Sequence, residues 1–515
     1  MQTLAAIDIG SNSCRLKIAR IQKHQLKMLH EDREVTRLGT SVFSSGVVSP
    51  EAMASTLGAL KRFYRSIKIY GADRTRIVAT AALREARNGQ AFVAWVLSET
   101  GWNVEIISGL EEARLIHAGV MANLGVQGRS LLVDVGGGSC EITVSERERI
   151  KETISLPLGA VRLTQEFLAG DPPPAEEIAR MKQLIARELG KAERRLGDLR
   201  VSRVVATSGT AAALAEASAA AWKAKPHGGR ARAGKGGFLV ETRYARRLAD
   251  KLTRMNAAQR GGIPGVGPRR AEIIVAGTHV LTELLERFSL NGFVYSDLGL
   301  RDGILAQMLA EQDLSTAAHQ QFERDRWQGI LATCKRYGVD TRKAEPVREH
   351  AARLFRGLAP VHQLPEEYRL WLEAAAMMRD IGKFMNYQGH HRHAQYIIAN
   401  SELFGFTPQQ RAIVSAIARY LGKSRPNASD RVMRIIPPQE HANLQRAVVL
   451  LRLAVALNQD RASDVSKVAL RVYPKRVLIE LSPGRHGAEL ELWSLRKEAV
   501  YFREVFRREL LATLE

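Results

Sequence analysis

Two aspartates, Asp8 and Asp134, each close a short apolar run and each precede a turn of small residues. Residues 5–19 read AAIDIGSNSCRLKIA and residues 131–145 read LLVDVGGGSCEITVS. The stretches align without a gap: Asp8 falls on Asp134, Gly10 on Gly136, Ser13 on Ser139 and Cys14 on Cys140. A carboxylate at the end of a buried strand is costly unless it meets a cation. Glycine and serine in the turn let the backbone approach a ligand, and successive N–H groups there form a nest for an anion. Two such hairpins facing each other predict a cleft with two acids and two phosphate-binding tips. A divalent metal between them is the natural filling, and magnesium suits oxygen ligands plus a phosphate. A single turn of this kind is an ordinary tight hairpin, but two gapless copies with the same chemistry call for a function.

Three more groups carry chemistry. Glu111 and Glu112 fall in the first turn of a helix that follows a strand at 104–107. Acids there complement the helix dipole, and one of the pair projecting into the cleft would serve as a base. Arg84 stands just beyond a buried strand at 76–80, the strand end at which open α/β sheets bind ligands. Ser208, Gly209 and Thr210 join a strand at 203–207 to an alanine-rich helix, a third turn suited to an anion.

The elements that must position these groups follow from periodicity. Met53, Leu57, Leu60, Phe63 and Ile67 share one face of a helix over 50–70. Residues 18–39 read as strands around a turn, 156–163 contain a turn at Gly159 near the site, and GDPPP precedes an amphipathic helix near 175–196. The basic, glycine-rich stretch 223–237 is either a flexible loop or a holder for an extended polyanion. From about 312 the pattern is mainly helical, and 467–493 alternates as three strands, KVALRVYP, RVLIELSPG and AELELW, before a last helix over 495–514.

Composition narrows the class. A chain of 515 residues exceeds one core, so about three or four domains are expected. No apolar run reaches the roughly 18 residues of a membrane helix, and the N-terminus lacks the basic flank and apolar stretch of a secretory signal. Three scattered cysteines, Cys14, Cys140 and Cys334, argue against a disulfide framework or a zinc site and suit a reducing cytoplasm. Lys plus Arg exceed Asp plus Glu by 22, which fits a polyanionic partner or a merely solvated basic surface. Only 6% of residues are aromatic, so stacking platforms for single-stranded nucleic acid are sparse. Neither a Ser/His pair nor a catalytic cysteine stands out.

The stretches AAIDIGSNSCRL, TAALREA, IISGLEEARL, LLVDVGGGSCEI, ATSGTAAAL and SDLGLRDGIL, in this order over residues 5 to about 305, resemble the exopolyphosphatase / guanosine pentaphosphate phosphohydrolase family. The resemblance implies an α/β fold of two actin-like, ribonuclease H-like domains flanking a cleft. It implies that Glu112 polarises the attacking water, with Glu111 the lesser choice of the pair. Asp134 and Glu141 match the metal-holding and water-positioning acids, and Asp8 the acid of the first phosphate loop. Gly136, Gly137, Gly138 and Ser139 would bind the terminal phosphate through N–H groups. Ser11, Asn12, Ser13, Arg84, Ser208, Gly209 and Thr210 would line the phosphate path.

The stretch around LEAAAMMRDIGKFMNYQGHHRHAQYIIAN is similar to the HD-type helical domain of longer family members. It carries Arg379-Asp380 where such an enzyme has His-Asp, and Asn458 where it has its last Asp. A degenerate, non-catalytic domain is therefore expected, with His390, His391 and His393 clustered nearby. The expected domains are 1–127 and 128–311 (actin-like), 312–460 (HD-like) and 461–515 (a small α+β cap). The expected activity is processive release of orthophosphate from inorganic polyphosphate, with magnesium, or else manganese, and no organic cofactor. Cytoplasmic location and a homodimer go with it, without nucleic-acid partner or stable membrane insertion. The alternatives are a guanosine pentaphosphate (pppGpp) 5′-phosphohydrolase using the same site, an actin-like ATP-dependent kinase or chaperone, and a non-catalytic polyphosphate- or alarmone-binding regulator.

Overall fold

The computed structural model describes residues 2–124, 128–147, 149–197, 199–223, 233–234, 237–312, 317–422, 424–459, 465–483 and 487–514. It divides into two compact units, 1–320 and 321–515. The basic stretch 223–237 lies almost wholly outside the described residues.

In the first unit, strands β1 (Thr3–Ile9), β2 (Cys14–Gln22), β3 (Gln25–Glu34), β4 (Arg74–Ala79) and β5 (Val104–Ile106) form one sheet in the order β3-β2-β1-β4-β5. A second sheet is built from β6 (Arg129–Val135), β7 (Cys140–Glu146), β8 (Arg149–Leu156), β9 (Arg203–Thr207), β10 (Ala233–Gly234), β11 (Gly237–Glu241) and β12 (Gly292–Tyr295). Its order is β10-β11-β12-β9-β6-β7-β8. The series β3-β2-β1-β4-β5 recurs in it as β8-β7-β6-β9-β12, with antiparallel and parallel pairings in the same places. The hairpin repeat in the sequence is thus the core of a duplicated α/β lobe.

β1 and β6 are apolar almost throughout because helices cover both faces of each sheet. In the first lobe the helix Pro50–Tyr70 starts on a Ser49 side-chain cap, with Pro50 in its first turn, and stops at Gly71 in the left-handed region. It packs Leu57, Leu60, Phe63 and Ile67 into the core under β1 and β2. The other face of that sheet is covered by the helices Gly109–Leu124 and Leu300–Gln312, through Leu115, Ile304, Leu305 and Met308 against Leu4, Ala6 and Val78. By packing, therefore, the segment 300–312 completes the first lobe, although its place in the sequence puts it with 128–311.

The second unit is mainly helical. Thr341–Gly357, Glu367–Met378, Pro408–Arg419 and His441–Ala456 bury a single apolar core. A sheet of β13 (Val465–Val472), β14 (Arg476–Pro483) and β15 (Glu509–Leu514), ordered β13-β14-β15, shares that core through Val477, Ile479, Leu481, Leu510 and Ala512. The sequence reading of AELELW as a third strand and of 495–514 as a final helix is corrected here. Glu489–Phe506 is the helix, and β15 follows it, parallel to β14. Leu495 and Phe502, seven residues apart on one helical face, are fully buried, and that burial outweighs four residues of alternation. Among the described residues no helix is long and apolar enough to cross a membrane.

Candidate functional site

Both hairpin tips are closed in the same way. Gly10 N–H donates to the Ser13 carbonyl at 3.1 Å, and Gly136 N–H donates to the Ser139 carbonyl at 3.0 Å. Together with the turn at Ser208 they border a cleft of about 280 Å³. Asp8, Ser11, Asn12, Ser13, Glu112, Asp134, Gly136, Gly137, Gly138, Ser139, Ser208, Gly209 and Thr210 all line it.

The loop 136–139 is held from behind by the start of the helix Ala160–Phe167. Ala160 N–H donates to the Gly136 carbonyl at 2.9 Å, and Val161 N–H to the Gly137 carbonyl at 2.8 Å. In a trans peptide the N–H points opposite to the carbonyl. Those two bonds therefore turn the N–H groups of Gly137 and Gly138 away from the helix. Close approach explains the glycines: a Cβ on Gly138 would lie 2.5 Å from Ala81 Cβ, and one on Gly159 would lie 2.3 Å from the Gly137 carbonyl oxygen.

The third tip is strained. Ser208 has φ +69°, in the left-handed region that few residues other than glycine occupy. Its hydroxyl donates to the Val135 carbonyl at 2.7 Å, tying the start of the helix Ser208–Lys223 to the end of β6 beside Asp134.

Four acids converge. Burial pushes the Asp8 carboxyl up, against the pull of Arg15 and Arg301. Burial likewise raises Asp134 to about 6, opposed by its hydrogen bond with Ser208. Burial and then the charge of Asp134 raise Glu141 to about 7. Glu112 lies well above the usual carboxylate range through burial and then the charge of Glu141, with Arg84 pulling the other way. Asp8 Oδ1, Glu112 Oε2 and Glu141 Oε2 are buried without a hydrogen-bond partner among the described residues. Such acids stay charged only beside a cation.

The two neighbouring glutamates have different surroundings. Glu111 is held by Arg114, with bonds of 2.8 and 2.6 Å. Glu112 lines the cleft and stands 3.8 Å from Arg84 Nη1. Arg84 and Glu141 do not themselves line the cleft, contrary to the expectation from sequence. Arg84 is turned aside because its guanidinium donates to the Ile107 carbonyl at 2.8 Å. Glu141 Oε1 is drawn back by the Ser155 hydroxyl at 2.7 Å. The charges of both bear on Glu112, Glu141 raising it and Arg84 lowering it.

Arginines that sequence reasoning did not single out complete the site. Arg15, Arg33, Arg270 and Arg301 line the cleft. Burial, then the neighbouring arginines 15, 270, 269 and 301, lowers Arg33 to about 10. Burial and Arg15 lower Arg270 and Arg301 as well. Arg33 Nε is buried without a hydrogen-bond partner among the described residues, and the Arg270 guanidinium would lie 2.8 Å from a Cβ on Gly209. Guanidinium groups crowded against one another in this way make an anion-binding wall. One signal was available for Arg15: in the gapless repeat it occupies the place of Glu141.

In the second unit, Asp380 is flanked by two basic side chains and an imidazole. Lys383 Nζ lies at 2.7 Å, Arg379 Nη2 at 3.6 Å and His390 Nε2 at 3.8 Å. Burial works against the charge on Asp380, but those three neighbours outweigh it and hold the carboxyl below its usual range. Asn458 is buried. Among the described residues no three His, Cys, Asp or Glu side chains gather as a ready metal site.

Known proteins resemble this chain in sequence and fold. The sequence model of the Ppx/GppA phosphatase family matches residues 17–312, and that of domain III of the same family matches residues 326–498. A Ppx/GppA family member from Aquifex aeolicus is 31% identical in crystal structure, with a TM-score of 0.51, covering 61% of this chain and 99% of its own. The exopolyphosphatase of Cytophaga hutchinsonii is 26% identical, with a TM-score of 0.55, covering 60% of this chain and 98% of its own. With the duplicated lobes and the domain that follows them both matched, the chain belongs to the Ppx/GppA phosphatase family and is a hydrolase of phosphoanhydride bonds.

Proposed function

We propose that the protein is an exopolyphosphatase: polyphosphate of n units and water give n−1 units and orthophosphate. The observation that carries this reading is the meeting, in one cleft, of buried unpartnered acid oxygens, a backbone N–H nest and a wall of arginines. The similarity to the exopolyphosphatase of Cytophaga hutchinsonii supports it.

The residues fit magnesium. The acids are hard oxygen donors with orphaned buried atoms, and magnesium is held through one or two carboxylates plus phosphate and water rather than a closed protein cage. Asp8 and Asp134 would hold it, backed by Glu141. When bound, it would neutralise charge on the terminal phosphate oxygens.

The chain's own groups do the rest. The N–H groups of the loop 136–139 bind and orient the terminal phosphoryl group. Glu112 holds a water and takes up its proton as the water attacks phosphorus in line. The Ser11–Ser13 tip and the turn 208–210 hold the departing phosphate. Arg15, Arg33, Arg270 and Arg301 hold phosphates further along the chain, where fixed guanidinium groups replace the water around a polyanion.

The test is orthophosphate release with magnesium from long-chain polyphosphate and from guanosine pentaphosphate, side by side. Faster release from polyphosphate supports the proposal. Preference for the nucleotide makes the protein a pppGpp 5′-phosphohydrolase with the same chemistry, and no release from either overturns both.

A further inference from the structure

Arg162 is a buried arginine outside the cleft lining, yet it reaches the phosphate loop. Its Nε donates to the Gly138 carbonyl at 2.8 Å. Its Nη2 binds Glu85 Oε1 at 2.5 Å, and its guanidinium carbon lies 4.3 Å from the centre of the Phe43 ring. Glu85 ends the helix Ala81–Glu85 and Phe43 belongs to the helix Leu38–Ser45, both in the first lobe, whereas Arg162 belongs to the second. The side chain therefore spans the two lobes at the base of the cleft.

We infer that Arg162 is a positioning residue that sets the phosphate loop for turnover, by fixing the third loop peptide and anchoring it to the first lobe through Glu85. The inference rests on the phosphohydrolase reading above. The first two loop carbonyls, of Gly136 and Gly137, are held by backbone N–H groups of the helix Ala160–Phe167. The third, of Gly138, is held by the side chain of Arg162. In a trans peptide that bond turns the Ser139 N–H the opposite way, continuing the row made by Gly137 and Gly138. Without the guanidinium, the peptide between Gly138 and Ser139 is free to rotate, and the nest keeps two of its three aimed donors.

The cost falls on turnover more than on affinity. A long polyphosphate is held at many phosphates remote from the loop, and those contacts set KM. The terminal phosphoryl group is held by the loop, where a misdirected donor weakens the transition state. Glu85 gives the arrangement a second dependence: its carboxylate fixes the guanidinium plane that meets the carbonyl.

Wild type, Arg162→Ala and Glu85→Gln are assayed for orthophosphate release from long-chain polyphosphate with magnesium, and thermal unfolding is followed on each. The expected result for Arg162→Ala is a kcat at least about 10-fold lower, with KM within about 3-fold, and partial recovery on adding guanidinium ion. A smaller loss of kcat, a loss carried by KM alone, or no recovery overturns the inference and leaves the hydrolytic reading standing. A wild type without turnover overturns that reading and the inference with it. If Arg162→Ala does not fold, Glu85→Gln decides: its side chain is 41% exposed and fills no core, and an unchanged kcat there overturns the inference.

Discussion

Arg15 lies opposite Asp8 across the first hairpin in the same register in which Glu141 lies opposite Asp134 across the second. Two copies of one hairpin thus differ in sign at one equivalent position. The first lobe brings a cation to the cleft, and the second brings an additional acid behind it.

Glu112→Gln should lower kcat by about 10²- to 10⁴-fold, the usual effect of losing a general base. Binding of polyphosphate should persist. Glu111→Gln should retain most of the turnover, because Glu111 is engaged by Arg114 away from the cleft. Steady-state phosphate release and equilibrium binding on both variants check this, and equal losses in the two would place the base elsewhere.

Asp134→Asn should weaken magnesium binding at least about 10-fold, because a neutral amide replaces one of the two carboxylates proposed to hold the ion. Calorimetric titration of the protein with magnesium reads the change without any substrate present. Affinity equal to wild type would remove Asp134 from the metal.

Arg270→Ala should act on KM. A rise of about 10-fold for long polyphosphate, with kcat within about 3-fold, is the signature of lost uniform binding. Part of the effect should fade as salt screens the cleft. A variant insensitive to ionic strength, with an unaltered KM, would leave the arginine wall without a role in holding the chain.

His279 should contribute a loss of stability in mild acid. His279 is buried against Thr253, with Nε2 2.9 Å from Oγ1. Burial and then Lys182 push it down to about 3. Its folded value thus lies below the ordinary histidine value, so the unfolded chain takes up the proton first. The stability it contributes is present above pH 6.5 and is lost as pH falls toward 3, reaching about 2 kcal/mol by pH 5. Thermal unfolding at pH 7 and pH 5 should show His279→Gln losing less than wild type.

The hairpins were legible because their chemistry is local: strand, acid, turn and strand lie within fifteen consecutive residues, twice. The helix Pro50–Tyr70 was legible for the same reason, since its cap, periodicity and stop are all in the chain. Arg33, Arg270 and Arg301 were not. They arrive from separate elements: nothing local marks Arg33 or Arg270 out among 76 lysines and arginines, and Arg301 sits in the stretch SDLGLRDGIL without a pattern that assigns it a role. The different fates of Glu111 and Glu112 also depend on distant partners: Arg114 is itself steadied by Gln307, on a helix about two hundred residues away. AELELW was misread because four alternating residues fit a strand and the first turn of a helix equally well, and only the burial of Leu495 and Phe502 separates the two.

The return of residues 300–312 to the first lobe has a topological consequence. The chain crosses between the lobes twice, once after the helix Gly109–Leu124 and again before Leu300. Two connections therefore tie the lobes to each other at separate points of the chain. Cutting the first connection would leave two fragments clasped together, because the internal helix 300–312 of one would still lie packed on β1 of the other.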